Sequence, residues 1–409
     1  MTGRLAVAGA GVIGLSAARE AARAGWRVTV FDPAPATGAS WVAGGMLAPV
    51  TEAWPGEEDL LALGLDSVAR WPGFARALSA DAGTDAGLHA AGTVVVATGT
   101  GDRDELDALA GYLESLGRRV ERLNGRGMRR LEPALGPDVR GGLSVPGDPS
   151  VDNRRLLTAL RTAGERAGVV VDERAVGSVR SADDRVTGVR LADGSEIDAD
   201  AVLVAAGAHS AALHPVLDGL VRPVKGEILR LTRRAGALPP PSVTVRALVD
   251  GRPVYAVPRV VPGHGDLVIG ATTAENGFDT AVTVGGVRDL LRDAERVLPG
   301  IAEYELTETA AGLRPGSRDN MPLIGRAGPE GLLVATGHGR NGMLLAPVTV
   351  AAVGALLAGE DVPDAARAAD PARFGPRGEA GRAPDATAGG RHGTAGAVAG
   401  AAARPGGTQ

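Results

Sequence analysis

The first 32 residues restrict the fold more than any other part of the chain. Arg4–Ala8 reads as a short buried strand. Gly9-Ala10-Gly11-Val12-Ile13-Gly14 then spells G-x-G-x-x-G, residues 12–24 carry helical spacing, and Arg27–Phe31 reads as a second strand that ends at Asp32. Gly25 suits the end of the helix, where a residue must enter the left-handed region. This is a βαβ unit, and it implies a parallel sheet. Gly9 permits the tight turn, Gly11 lets the main chain approach a pyrophosphate, and Gly14 lets the helix pack on the strand. Val12 and Ile13 open the helix, whose free N–H groups face the phosphates. Asp32 is placed to accept hydrogen bonds from ribose hydroxyls and would repel a 2′-phosphate, which favours FAD or NAD over NADP. The rival reading is a structural glycine turn with Asp32 as a solvated strand end. The complete order of strand, motif, helix, strand and acid argues against it.

Composition bounds what such a chain does. Its 409 residues are enough for two or three structural units, and 44% hydrophobic with 22% charged residues is a globular balance. A net charge of −5 gives no reason to expect nucleic acid or a membrane surface as partner. Cysteine is absent, so the chain forms no disulfide, thiolate metal site or Cys-linked cofactor, and the six histidines are scattered without zinc-ligand spacing. Arg19, Glu20, Arg23 and Arg27 break the N-terminal apolar stretch, which does not read as a signal peptide. Residues 342–359 carry no charge and are just long enough to span a membrane, but Pro347 and the small residues favour a buried core helix. The expected location is cytoplasmic.

Two further clusters separate FAD from NAD. Residues 37–49 form a small-residue loop soon after the ribose-binding acid, which suits a cofactor that continues past the pyrophosphate. Within it Ser40 offers a hydroxyl, and Gly44 and Gly45 permit close backbone approach; Ala43 and Met46 flank them as further cofactor-binding candidates. Near the other end, a strand at 332–335 runs into Thr336-Gly337-His338-Gly339-Arg340-Asn341-Gly342-Met343 and then an apolar helix from Leu344. A helix N-terminus there can stabilise negative charge that builds on a reduced flavin ring. Taken singly, each cluster could be a structural loop.

Between these clusters the chain alternates. Strand patterns at 93–98, 175–181, 186–191, 195–198 and 201–205 and helices at 104–116 and 154–167 are expected, with Asp152 or Asn153 capping the latter and a hairpin turn at Ala192-Asp193-Gly194. Many short β runs between 220 and 305 suggest an antiparallel sheet. The expected fold combines an α/β, Rossmann-like FAD-binding domain (1–85, 149–218 and 307–373) with an interleaved α+β substrate domain of mostly antiparallel sheet (86–148 and 219–306). Residues 374–409, rich in Gly, Ala, Pro and Arg, are expected to be a disordered tail without function.

The chain resembles the glycine oxidase (ThiO) branch of the D-amino-acid oxidase-like FAD oxidoreductases. The resemblance rests on Gly9–Gly14, Ala43-Gly44-Gly45-Met46-Leu47, Val151-Asp152-Asn153-Arg154-Arg155-Leu156, Ala205-Ala206-Gly207-Ala208-His209-Ser210, Val224-Lys225-Gly226-Glu227, Gly312-Leu313-Arg314-Pro315 and Gly337-His338-Gly339-Arg340-Asn341-Gly342. It spans roughly the whole chain before the tail. It implies non-covalent FAD, with Val176 beside the adenine and Gly207 near the phosphates. It also implies a small amino-acid substrate and molecular oxygen as partners, and the sequence leaves homo-oligomerisation open.

An amino-acid substrate brings a carboxylate, which a guanidinium binds with two parallel charge-assisted hydrogen bonds. The resemblance assigns that clamp to Arg314, assisted by the hydroxyl of Tyr255, and puts Arg340 near the carboxylate or the flavin. Met46 packs over the flavin or substrate, or only into the core. His338 reads as a flavin-contacting loop residue rather than a base. In the implied mechanism the α-hydrogen leaves as hydride to the flavin, and no acid–base pair is needed. The imine is hydrolysed or passed on, in this branch to the thiazole ring of thiamine, and oxygen reoxidises the flavin to give peroxide. The competing readings are a sarcosine, proline or small D-amino-acid oxidase on the same fold, a quinone-linked dehydrogenase, and a flavin-binding protein without turnover.

Overall fold

In the computed structural model, which describes residues 3–118, 120–259 and 267–375, two large sheets divide the work. The first is six-stranded, in the spatial order Leu323–Arg326, Leu332–Thr336, Ala201–Val204, Arg4–Ala8, Arg27–Phe31 and Val170–Asp172. Its neighbours pair in parallel except the outer pair 323–326 and 332–336, which is antiparallel. Side-chain alternation along Arg4–Ala8 explains why both faces are covered. Leu5 and Val7 join a core with the helices Val12–Arg23, Glu58–Ala82, Asn153–Arg166 and Gly342–Ala358. Ala6 and Ala8 face the other way, towards the three-stranded sheet of Val176–Ala182, Arg185–Leu191 and Glu196–Asp198.

The second sheet is eight-stranded, running Glu305–Ser317, Val221–Thr232, Leu267–Gly270, Arg252–Pro258, Thr244–Val249, Thr93–Ala97, Gly141–Val145 and Glu121–Asn124. It is antiparallel apart from one parallel pair, Thr244–Val249 with Thr93–Ala97. The helix Val284–Val297 packs across it over a core that includes Val96, Leu229, Ile269 and Leu290. The chain passes between the sheets several times, so each is assembled from separate segments.

Local signals explain the elements that match expectation. The first helix ends at Arg23, with Ala24 as its cap and Gly25 following at φ 92°. Asp152 caps Asn153–Arg166 by accepting from the N–H groups of Arg154 and Arg155 at 3.1 and 3.2 Å. The helix expected at 104–116 starts earlier, at Thr100, because Asp102 accepts from Gly99 N–H at 2.8 Å and fixes its first turn. Two long helices lie outside the sequence reading, Glu58–Ala82 and Val284–Val297, as do the short Ala39–Val42 and Gly125–Leu131. Glu58–Ala82 carries Pro72 together with Gly64 and Gly73, which dilute the helical pattern.

The charge-free run forms the helix Gly342–Ala358, packed against Val12–Arg23 and Glu58–Ala82. It is the one helix among the described residues long and apolar enough to cross a membrane, and more than half of it is buried inside the protein. Phe374, expected to open the tail, still belongs to the short 3₁₀ turn Pro371–Phe374, and the Arg373 guanidinium lies over its ring. The remainder of the expected disordered tail, from 376 on, lies outside the described residues.

Candidate active site

The carboxyl ends of the parallel strands 4–8, 201–204 and 332–336 point to one edge of the first sheet, and the glycine-rich turns gather there. Such an edge is where open α/β sheets bind their ligands. Gly9 has φ 109°, and a Cβ on it would overlap the Ala205 carbonyl, so this turn and the 205–207 turn are in direct contact. A Cβ on Gly14 would overlap the Gly9 carbonyl. Gly11 differs, because its Cβ would meet only Ser40 Oγ, at 3.1 Å. Open space also lies in front of Gly207 and Gly339. The N-terminus of Gly342–Ala358 has no side-chain cap, and Val12 N–H donates to Ser40 Oγ at 3.0 Å. Open space at glycines beside two helix N-termini fits the phosphates of a dinucleotide. Asp32 closes the strand beside this turn, with Ala10 and Ala34 N–H donating to its carboxylate at 2.7 and 2.9 Å. Val176 lies on the far side of the sheet, at the start of a strand, half-buried against that core.

The loop from Ser40 to Met46 leads from this edge towards the second sheet. It is held from behind by Asn153, which is fully buried. Asn153 Nδ2 donates to the carbonyls of Ser40 (2.9 Å) and Trp41 (2.7 Å), while its Oδ1 accepts from Arg259 (2.9 Å) and Arg230 (3.3 Å). Arg259 also donates to the Gly44 carbonyl at 2.9 Å. Val151 N–H donates to Gly45, and Met46 bridges to Ser150. Burial pushes the Arg230 guanidinium down to about 10, with Arg259 and Arg154 adding repulsion, and burial likewise lowers Arg259. A guanidinium does not give up its proton in a protein, so these directions record two costly buried positive charges beneath the loop.

On the opposite side of Gly44 stands Tyr255, whose ring a Cβ at 44 would touch at 2.8 Å. Burial raises the phenol, and nearby Arg314 acts against that shift. Arg314 lies across the strand Val221–Thr232, and a Cβ on Gly226 would overlap its guanidinium. Its Nη1 donates to the carbonyls of Lys225 and Thr272, both at 3.3 Å. Among the described residues no carboxylate pairs with Arg314. Burial lowers Arg314, while Tyr255 and Glu52 oppose that. The Lys225-Gly226-Glu227 stretch supports this arrangement. Lys225, 2% exposed, donates to Asp279 at 2.7 Å, and Glu227 accepts from Thr283 N–H at 2.8 Å, which fastens the segment carrying Thr272.

Arg340 does not join the clamp directly. It is exposed, and its Nε pairs with Glu52 at 2.9 Å. Glu52 also faces Arg246 Nη2 at 3.5 Å, and Arg246 Nη1 donates to Thr51. Thr51 and Val50 N–H donate in turn to Asp148, whose carboxyl is pushed up to about 6 by burial. His338 is buried and bonded to Thr349 Oγ1 at 3.0 Å, and burial pushes its imidazole down to about 3, so it stays neutral. Gly342 and Met343 begin the last helix, and Asn341 precedes it.

The structure thus brings Arg314, Tyr255 and the Gly44-Gly45 loop together, with Arg340 near enough to act on Arg314 but paired with Glu52. Sequence reading missed Glu52, Arg246, Arg230, Arg259 and the loop-holding role of Asn153. Asn153 stands in the stretch Val151–Leu156, but its partners Ser40, Trp41, Arg230 and Arg259 are remote in the chain. Nothing local marks Glu52 or the buried arginines.

Residues 4–356 match the family described as FAD dependent oxidoreductase, and the chain belongs to it, with FAD as its cofactor. The glycine oxidase of Pseudomonas aeruginosa is 33% identical over 386 residues, covering 92% of this chain and all of that one. The bifunctional protein ThiO/ThiG of Synechocystis is 32% identical over 379 residues, 91% of this chain, which spans about half (54%) of that longer protein. Among solved structures, glycine oxidase from Geobacillus kaustophilus superposes with a TM-score of 0.81 at 32% identity, covering 90% of this chain and 98% of that one.

Proposed function

We propose that this chain oxidises glycine, with FAD as electron acceptor, to the imine and on to glyoxylate and ammonia, and that oxygen is reduced to hydrogen peroxide. The observation that carries the reading is the Arg314 guanidinium, without a carboxylate partner among the described residues, beside Tyr255 and the Gly44-Gly45 loop. The glycine oxidases among the relatives support it. FAD would be held at its phosphates by Gly9, Gly11, Val12, Ile13, Gly14 and Gly207, at a ribose by Asp32, and near the adenine by Val176. Ser40 would stand by the phosphates, beside Gly11 and Val12. Ala43, Gly44, Gly45 and Met46, together with His338, Gly339, Arg340, Asn341, Gly342 and Met343, would hold the rest of the cofactor. Bound FAD supplies a two-electron acceptor.

The protein's own part is orientation and charge. Arg314 and the Tyr255 hydroxyl bind the carboxylate and so fix where the α-carbon sits. Neutral His338 adds no charge to the loop, and the N-terminus of Gly342–Ala358 presents a positive dipole end. A water then hydrolyses the imine. Supply of that imine to thiamine thiazole synthesis, in the cytoplasm, goes with this reading. The test is peroxide formation from glycine, sarcosine, D-alanine and D-proline. Glycine is expected to give the highest kcat/KM; a preference for another amine overturns the substrate, and no peroxide from any overturns the oxidase.

A further inference from the structure

We propose that Glu52 sets the charge specificity of the substrate site, by neutralising Arg340 and Arg246 so that only one carboxylate is accepted. The proposal rests on the reading of the site as one for amino acids. Besides Arg259, which is bound to Asn153 and the Gly44 carbonyl behind the loop, three guanidinium groups surround the region: Arg314, Arg340 and Arg246. Arg246 stands directly opposite Tyr255 in the antiparallel register, so the two share a face of the sheet. Glu52 reaches Arg340 at 2.9 Å and Arg246 at 3.5 Å, and its side chain is 10% exposed. The same carboxylate is near enough to Arg314 and Tyr255 to influence both. It pairs with neither, and the clamp stays free while the two neighbouring cations are occupied.

Without Glu52, Arg340 and Arg246 would have no carboxylate within ion-pair distance among the described residues. They would then form a second anion site beside the first. With Glu52 in place between Arg340 and Arg246, a substrate bearing another negative group meets two paired arginines and a carboxylate, a repulsive element of the kind that specificity requires. The substrates admitted are therefore amino acids whose only anion is the α-carboxylate. Those with an acidic group on the side chain or the nitrogen are turned away.

The experiment uses FAD-loaded protein and three compounds: glycine, N-(carboxymethyl)glycine and its neutral isostere N-(carbamoylmethyl)glycine. Wild type is expected to favour the neutral isostere over the dianion. Glu52→Gln, which keeps the size of the side chain, is expected to raise the dianion-to-neutral ratio of kcat/KM by about tenfold or more. Glu52→Asp, which keeps the charge, is expected to retain most of the wild-type ratio. The dissociation constants of acetate and malonate, read from the flavin spectrum without turnover, should shift in the same direction. Arg340→Glu, a change at an exposed position, should deepen the discrimination, which keeps the test decisive if Glu52→Gln does not fold. An unchanged ratio in Glu52→Gln with glycine turnover intact overturns the role of Glu52 alone. Absence of turnover by wild type on glycine, with neither carboxylate perturbing the spectrum, overturns the amino-acid site and this proposal together.

Discussion

The two ends of the cleft are built on different chemistry. The phosphate end uses main chain: a run of six contiguous residues, Gly9–Gly14, two helix N-termini and the absence of side chains. The substrate end uses side chains from segments far apart in sequence, with Arg314, Tyr255, Arg246 and Glu52 converging from the second sheet and a loop of the first. Backbone sites are contiguous because a turn and a helix start are local objects. A charge constellation has no such constraint, since the sheet register alone decides which residues meet.

The largest expected effect is at the substrate end. Arg314→Ala should lower kcat/KM for glycine by about 100–1,000-fold, because it removes a charged partner of a desolvated carboxylate, while the protein keeps its flavin spectrum. Loss of the flavin instead would blur the distinction between the ends. Gly226→Ala should give the same pattern, about 10–100-fold, since the added methyl displaces the Arg314 guanidinium without touching the phosphate end.

The phosphate end can be split by two alanines. Gly14→Ala forces a Cβ into the Gly9 carbonyl and should lower the melting temperature of the apoprotein by several degrees, for a cost of about 2 kcal/mol. Gly11→Ala meets only a serine hydroxyl and should leave the apoprotein stable while weakening FAD binding about tenfold or more. Equal stability loss in both variants would mean that the space before Gly11 is not kept for a ligand.

Asp148 holds the segment that leads into Glu52 by accepting from Thr51 and Val50 N–H. Its carboxyl ionises at about 6 in the fold against an ordinary 3.8, chiefly through burial. An acid raised in the folded state opposes folding once ionised, so the stability it contributes below about pH 4 is lost as pH rises through about 6. Asp148→Asn does not titrate. Relative to wild type its stability should improve by about 2–3 kcal/mol over that window, read by urea melts at each pH. Parallel pH profiles would contradict the assignment. The smallest effect is Ser40→Ala, which removes the acceptor for Val12 N–H and should cost about 1 kcal/mol of stability.

The same contrast explains what the sequence disclosed. The βαβ start, the Asp152 cap and the 192–194 hairpin turn are local, and each rests on residues within a few positions of one another. The helix Glu58–Ala82 escaped notice because tertiary packing holds it. Trp71 Nε1 and Ser67 Oγ both donate to the Leu344 carbonyl, a partner visible only in the fold. Arg314 and Tyr255 were identifiable by resemblance. The pairing of Arg340 with Glu52, and the buried Arg230 and Arg259 behind Asn153, follow from contacts across the fold that no spacing encodes.

The most direct measurement is an anaerobic titration of the purified, FAD-loaded protein with glycine, followed in the visible spectrum. The account predicts that glycine bleaches the flavin band in wild type, that air restores it with formation of peroxide, and that Arg314→Ala bleaches only at far higher glycine. A yellow protein whose spectrum glycine leaves unchanged would contradict the account.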